Sequence, residues 1–370
     1  MDFTLSSEQK ALRDAVRGLL TSAYDSTETR REVVKDDPGF SEKTWGRLAE
    51  LGALGLPFSE EDGGFGAGPV EVSVVAEEIG RTLAPEPFVE SVVLGGSLVA
   101  ALGTAEQRSD LIGRLAEGAL VLAVAHEDLG DPVQATQDGD SWTLSGVKEP
   151  VLHGARADVL LVTASLPSGG TGVFVVDGDA AQRTGYRTHD GLRAARVAFD
   201  GTAATPLGEA ADATDAIADA VARAQVAYCH EALGAIDVAL HQTVEYLKTR
   251  KQFGVPLSTF QALTFRAADM YVSAELVRST VSWATLVLAD DPDRAREAAA
   301  RAKLQVSRAA RHIGQEAIQL HGGIGMTAEY SVGHYMGRLT AIEHTLGAGS
   351  DQLRVLASSV GDHGVVEPIA

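Results

Sequence analysis

From Leu233 onward the apolar residues Leu233, Ile236, Leu240, Val244 and Leu247 recur at i, i+3, i+7, i+11 and i+14. That is one stripe along a single helix face. Gly254 and Pro256 break the stripe, and two more runs of helical length follow, Ser258 to Leu288 and Pro292 to Leu320. Gly322-Gly323-Ile324-Gly325 stops the second, and a final helix is predicted from about Gly333 into the 350s. Long striped helices joined by short connections bury their apolar faces only by packing against one another, so this part of the chain predicts an antiparallel bundle.

Upstream the period changes. Ser141 to Val147, Val159 to Ala164, Gly172 to Asp177 and Arg196 to Phe199 are short β-prone runs, preceded by the buried run Ala119 to Ala125. Asp138-Gly139-Asp140, Pro167-Ser168-Gly169-Gly170 and Asp177-Gly178-Asp179 punctuate them as turns. Before this β segment the chain reads as helix again. Glu8 to Leu20 carries Leu12, Val16, Leu19 and Leu20 on one face behind a Ser6-Ser7-Glu8-Gln9 cap. Trp45 to Leu54, Val70 to Ile79, Phe88 to Leu102 and Gln107 to Leu115 are further helical runs. The division expected is a helical N-terminal domain over 1–118, a β-domain over 119–212, a four-helix bundle over 213–361 and a tail over 362–370.

Charge and composition narrow the partners. The chain of 370 residues has 31 basic and 51 acidic side chains, a net charge of −20, which repels phosphate backbones and anionic membranes. No apolar run approaches a membrane span, and the start Met1-Asp2-Phe3-Thr4 lacks the marks of a secretory signal. The single cysteine, Cys229, excludes an intrachain disulfide and any cysteine-cluster metal site, and a cytoplasmic setting is expected. No spacing of His, Asp and Glu suggests a metal.

Two motifs stand out on successive long helices. The first is Arg250-Lys251-Gln252-Phe253-Gly254, followed by Phe260-Gln261. An arginine at a helix C-terminus favours the dipole by itself, so alone the run reads equally as a capped helix and a turn. It also offers a guanidinium for a pyrophosphate, a Phe to pack and a Gln amide to hydrogen-bond. The second is Gln319-Leu320-His321-Gly322-Gly323-Ile324-Gly325. Glycines that end a helix commonly serve as a C-cap, and they also let a ligand approach bare backbone.

Together, in this order and behind a β segment, these motifs make the sequence resemble the acyl-CoA dehydrogenase family over nearly its whole length. Further matches are Phe3 to Gln9, Glu61-Asp62-Gly63-Gly64-Phe65-Gly66, Leu144 to Lys148 and Glu329-Tyr330. The resemblance implies a mainly α fold with a β-domain: an N-terminal helical domain, a middle β-domain and a C-terminal four-helix bundle. It implies FAD, an acyl-CoA substrate oxidised to the 2,3-enoyl form, and an electron-transfer flavoprotein as electron acceptor. It also implies shared flavins, with Arg250, Phe253, Phe260, Gln261, Gln319, Leu320, His321, Gly322 and Gly323 contacting the ADP half of a neighbour's cofactor.

The same resemblance exposes gaps. The family's catalytic Glu before a Gly falls on Leu346, before Gly347, or on Gly347 itself if one residue is inserted. The alternative position on the first bundle helix falls on Ala224. None of these accepts a proton. The hydroxyl-bearing residue after the family's Glu-Gly is Ala348, and the flavin-ring stretches read His126-Glu127-Asp128 and Pro150-Val151-Leu152. Glu231-Ala232-Leu233-Gly234, Tyr246 to Phe253, Val151 to Gly154 and Arg338 to Glu343 resemble the small subunit of pimeloyl-CoA dehydrogenase. They also resemble non-catalytic chains of α2β2 enzymes of actinobacterial steroid side-chain degradation. A partner of the same fold would then carry the base. The alternatives are a flavin-free scaffold with this fold, or a homotetramer using Glu231 or Glu343 as a relocated base. Glu231 is expected to be a buried, paired structural residue, and Glu343 to form an ion pair with Arg338. His126 and His153 are expected in a loop or at a β edge.

Overall fold

The computed structural model describes residues 4–362. Met1 to Phe3 and nearly all of the 362–370 tail lie outside the described residues. The N-terminal part contains α1 (Ser7–Ala23), α2 (Thr27–Val33), α3 (Glu42–Glu50) and α4 (Pro69–Thr82). A π-helical segment, Phe88–Gly95, runs into α5 (Gly96–Leu102), and α6 (Ala105–Ala116) follows. The Ser6 cap forms as a box: its hydroxyl accepts from Gln9 N at 3.2 Å, and Gln9 Oε1 accepts from Ser6 N at 2.9 Å. The helix expected over Trp45 to Leu54 is shorter, because Gly52 takes a left-handed φ of 74° and a 3₁₀ turn replaces its end. α2 has only seven residues and no apolar stripe to announce it.

The β segment has seven strands: β1 (Leu122–Ala125), β2 (Gln134–Asp138), β3 (Ser141–Leu152), β4 (Val159–Ser165), β5 (Thr171–Asp177), β6 (Gln182–Arg187) and β7 (Arg193–Pro206). β4, β5, β7, β3 and β2 pair in turn, and β2 returns to β4 through Gln134 and Ser165. The closed sheet surrounds Leu144, Leu160, Val162, Phe174, Val197 and Phe199. β2 and β6 escape a search for apolar alternation because their side chains are mostly exposed.

The last part comprises α7 (Thr214–Thr249), α8 (Gln261–Asp290), α9 (Ala295–His321), α10 (Val332–His344) and α11 (Gly349–Ser358). The final helix expected from Gly333 is therefore two helices. Leu346 and Gly347 take φ of 54° and 93°, a left-handed pair that a continuous α-helix cannot contain. α4 crosses α7 backbone to backbone: a Cβ on Gly80 would stand 1.8 Å from Glu231 O, and one on Gly234 would stand 2.0 Å from Glu77 O. This crossing ties the N-terminal helices to the bundle and buries Glu231 beneath them. The overall architecture is that of the acyl-CoA dehydrogenase fold: helical N- and C-terminal parts around a middle β-domain.

Candidate active site and cofactor surface

A cleft of about 570 Å³ lies where the π-helical segment, the β-domain and α10 meet. Its lining includes Val124 on β1 and His126 just after it, Glu149, Pro150 and Leu152 on β3, Thr188 and Asp190 after β6, and Thr345 to Ala348 between α10 and α11. Leu346 thus lines the cleft, and its carbonyl accepts from Gln225 Nε2 on α7 at 2.7 Å. Six carboxylates line the space, those of Glu90, Glu127, Asp128, Glu149, Asp190 and Asp351, against one arginine, Arg338.

The floor of the cleft is a buried polar network. Arg338 donates from Nε to Glu231 Oε1 at 2.6 Å and from Nη1 to Asp190 Oδ2 at 2.9 Å, and all three side chains are buried. Burial alone would weaken the Arg338 charge, but the two carboxylates outweigh it and hold its pKa well above the ordinary value. Asp190 is held below the usual carboxylate range: burial pushes it up, and Arg338 together with the Thr188 hydroxyl overrides that push. Tyr228 donates to Glu90 Oε1 at 2.7 Å, and burial followed by the Glu90 charge raises its pKa. Glu231 is therefore the paired structural residue expected, with both carboxylate and partner committed.

The other expectations fare unevenly. Glu343 is paired, but with Arg311 rather than Arg338. Arg338 sits five positions earlier on α10 and turns inward, whereas Glu343 meets an arginine on α9. His153 lies in the turn directly after β3, a loop position as expected, but it is 1 % exposed and takes a left-handed φ of 55°, so its side chain belongs to the interior. Burial lowers its pKa, which keeps it neutral. His126 lines the cleft, and its carbonyl accepts from Lys148 Nζ at 2.9 Å. Lys148, itself 1 % exposed, also binds Asp128 at 2.7 Å. Glu90, Tyr228 and Asp190 were not singled out from the sequence. The one signal for Glu90 is a lone carboxylate inside the apolar run Phe88 to Leu102.

The glycine and arginine motifs converge at one end of the bundle. The Tyr246 ring lies 4.5 Å from the His321 ring, joining the C-terminal ends of α7 and α9. Arg266 near the start of α8 binds Glu316 on α9 at 2.5 Å. Phe253 is 92 % exposed and meets Phe260 edge-on at 6.2 Å. Among the described residues the Arg250 guanidinium and the Gln261 amide have no partner, and both side chains are exposed. Gln319 is exposed, and Leu320 and His321 are buried beneath it. His321 Nδ1 lies 2.7 Å from Ala317 O, so Nδ1 carries the hydrogen, and Nε2 is left without a partner. A Cβ on Gly322 or Gly323 would meet nothing within 4 Å, so bare backbone faces open space there. Free donors, exposed aromatic surface and open backbone fit the phosphates and adenine of a dinucleotide.

Comparison with known proteins agrees with this architecture. Residues 6–119 match the family model "Acyl-CoA dehydrogenase, N-terminal domain", and residues 201–361 match "Acyl-CoA dehydrogenase, C-terminal domain". The chain is 29% identical to the acyl-CoA dehydrogenase FadE27 of Mycobacterium tuberculosis, over 98% of this chain and 99% of that protein. It is 33% identical to a chain of a variant of the Tcur3481-Tcur3483 steroid ACAD, with a TM-score of 0.88 over 97% of this chain and 99% of that one. Against the ChsE4-ChsE5 complex from Mycobacterium tuberculosis the identity is 28% and the TM-score 0.91, over 99% and 100% of the two chains. With its helical ends, its closed β-domain and its matched sequence motifs, the chain belongs to the acyl-CoA dehydrogenase family.

Proposed function

We propose that this chain is the subunit of an FAD-dependent acyl-CoA dehydrogenase that lacks the catalytic base and completes the flavin site of a partner of the same fold, in an α2β2 assembly. One contrast carries the reading. The cleft presents Leu346 where the family's base would stand, while the donors of Arg250, Gln261 and the Gly322-Gly323 backbone are unclaimed at the bundle end. Neither substitute base is free, because Glu231 is bound by Arg338 and Glu343 by Arg311. The two-chain assemblies among the similar structures, Tcur3481-Tcur3483 and ChsE4-ChsE5, support a heteromeric reading, and the first supports a steroid acyl group as substrate.

In this assembly the partner's carboxylate takes the α-proton of the thioester, and the flavin supplies the hydride acceptor when bound. Electrons then leave to an electron-transfer flavoprotein. This chain's part is to bind. Arg250 and Gln261 would hold the pyrophosphate, the Gly322 and Gly323 backbone would offer open surface to the ADP half, and Phe253 and Phe260 would pack against it. The chain's own cleft does not fit the cofactor: among the described residues its six carboxylates meet only Arg338 and the buried Lys148, both already paired, so no free cation is left for the phosphates of a dinucleotide or of CoA.

The test is flavin absorbance per mole of complex. A charge-assisted contact of this kind contributes ~1.5–3 kcal/mol. Arg250→Ala is expected to strip FAD from the complex and lower activity, with partial recovery on adding FAD. Arg250→Lys keeps the charge but not the bidentate geometry, and should fall between the two. Equal occupancy and equal FAD affinity in wild type and Arg250→Ala would favour the flavin-free scaffold instead.

A further inference from the structure

A second cavity, of about 420 Å³, lies among α1, α2, α4, α7 and α10 and shares no lining residue with the cleft. Its wall holds an arginine whose charge no carboxylate meets directly. Arg30 is 4 % exposed, and its Nε donates to Leu83 O at 2.6 Å and its Nη2 to Asp190 O at 3.3 Å. Both acceptors are main-chain carbonyls. The Asp190 carboxylate is already engaged by Arg338, the Thr188 hydroxyl and Leu192 N. Among the described residues no carboxylate lies within ion-pair distance of Arg30, and its Nη1 is unclaimed. The Asp190 and Glu86 charges act on Arg30 only from beyond ion-pair distance, so a bound anion in direct contact would stabilise the buried guanidinium further.

The rest of the cavity wall suits an anion. Arg17 forks onto Glu78 at 2.9 and 2.5 Å, so both oxygens of that carboxylate are neutralised. Arg81 binds Asp237 through Nη1 at 3.2 Å and leaves Nη2 free. Gln242 accepts the Ser331 hydroxyl at its Oε1, 2.9 Å away, which leaves its NH₂ free to donate. Three arginines thus line the cavity beside Glu78 and an exposed Asp25, with Arg81 shared with Asp237. We infer that this cavity is an oxyanion site that takes a phosphate group, through the unclaimed donors of Arg30, Arg81 and Gln242. The planar guanidinium fork is the side chain best matched to phosphate oxygens. The volume exceeds that of a bare phosphate, so a small phosphate monoester is also accommodated.

The experiment uses the full-length protein in the assembly in which it purifies. It is titrated calorimetrically with inorganic phosphate and with glycerol 3-phosphate, at constant ionic strength set by chloride. Saturable binding of one phosphate per chain is expected, weakened about tenfold or more in Arg30→Met and in Gln242→Glu. Arg250→Ala should leave it unchanged, which separates this site from the flavin surface. Tighter glycerol 3-phosphate binding assigns an organic monoester, and equal or weaker binding assigns free phosphate. If Arg30→Met fails to fold, Gln242→Glu decides alone, because it preserves shape and can still accept the Ser331 hydroxyl. Absence of saturable binding in the wild type, or undiminished binding in Gln242→Glu, overturns the assignment.

Discussion

Glu231 shows how a carboxylate in the right neighbourhood is disqualified as a base. A base needs a free lone pair aimed at the substrate, with a pKa near working pH. Burial raises the Glu231 pKa, but the Arg338 guanidinium at 2.6 Å commits the carboxylate to a structural pair. Glu231→Gln, measured in the complex with a partner, should therefore lose far less than a hundredfold in kcat, whereas losing a true base costs on the order of a hundredfold or more. Arg338→Leu removes the ion-pair partner of the buried Glu231 and Asp190, and chemical denaturation should show a loss of about 3–5 kcal/mol. Lys303, on α9, is fully buried and donates to the carbonyl of Ile342 at the end of α10. Burial pushes its pKa down to about 8 from an ordinary 10.5. Between these values the unfolded chain holds more protons than the folded one, so this contribution to stability rises with pH across the window and is flat below about 8. The stability difference between wild type and Lys303→Met should grow by roughly 3 kcal/mol over that window. A flat difference would mean that Lys303 titrates normally.

At the scale of elements, the decisive feature is the interruption between α10 and α11. Lys303 ties down the end of α10, the Leu346–Gly347 pair turns the chain in left-handed conformations, and Asp351 Oδ2 caps Ala348 N at 2.9 Å. The break lines the cleft with Thr345, Leu346, Gly347 and Ala348, none of which carries a carboxylate. Leu346→Glu restores a carboxylate at that point, yet the chain alone should remain inactive in a dye-reduction assay with acyl-CoA. The cleft residues on β3 are Glu149, Pro150 and Leu152, which offer no aromatic ring or hydroxyl, and the surrounding carboxylates still oppose the cofactor. Dehydrogenase activity gained by that variant in isolation would show that the cleft binds flavin after all.

For the whole molecule, the outward face of α8 bears on assembly. Phe265, Val272 and Leu276, at i, i+7 and i+11, are 63 %, 55 % and 54 % exposed, an apolar stripe left uncovered by the described residues. The proposed heteromer would cover such a face. Leu276→Glu is expected to reduce co-purification with the partner and flavin content together, while the subunit's own unfolding changes by less than about 0.5 kcal/mol because the site is exposed. Size-exclusion chromatography and absorbance read both. The chain expressed alone should be colourless, insoluble or inactive, and a yellow, active homotetramer would refute the heteromeric reading. Among the described residues no helix is long and apolar enough to cross a membrane.

What the sequence determined by itself is whatever depends on local period and local chemistry. The stripe from Leu233 to Leu247, the turns at Asp138-Gly139 and Gly169-Gly170 and the Ser6 cap each act within a few residues, and they set helix, strand and helix in order. The two motifs proposed to hold the cofactor were legible because each lies within a dozen residues of chain. The tertiary structure decided what depends on residues far apart in the chain. Arg338 chooses Glu231 and Asp190 across 107 and 148 positions, which leaves Glu343 to Arg311. Glu90 and Tyr228, 138 positions apart, meet at the cleft through a hydrogen bond. Arg30 is left without a carboxylate because the nearest one is already taken. Hydrogen bonds and ion pairs are satisfied by whichever partner the packing brings within about 3 Å, and spacing along the chain carries no record of that choice.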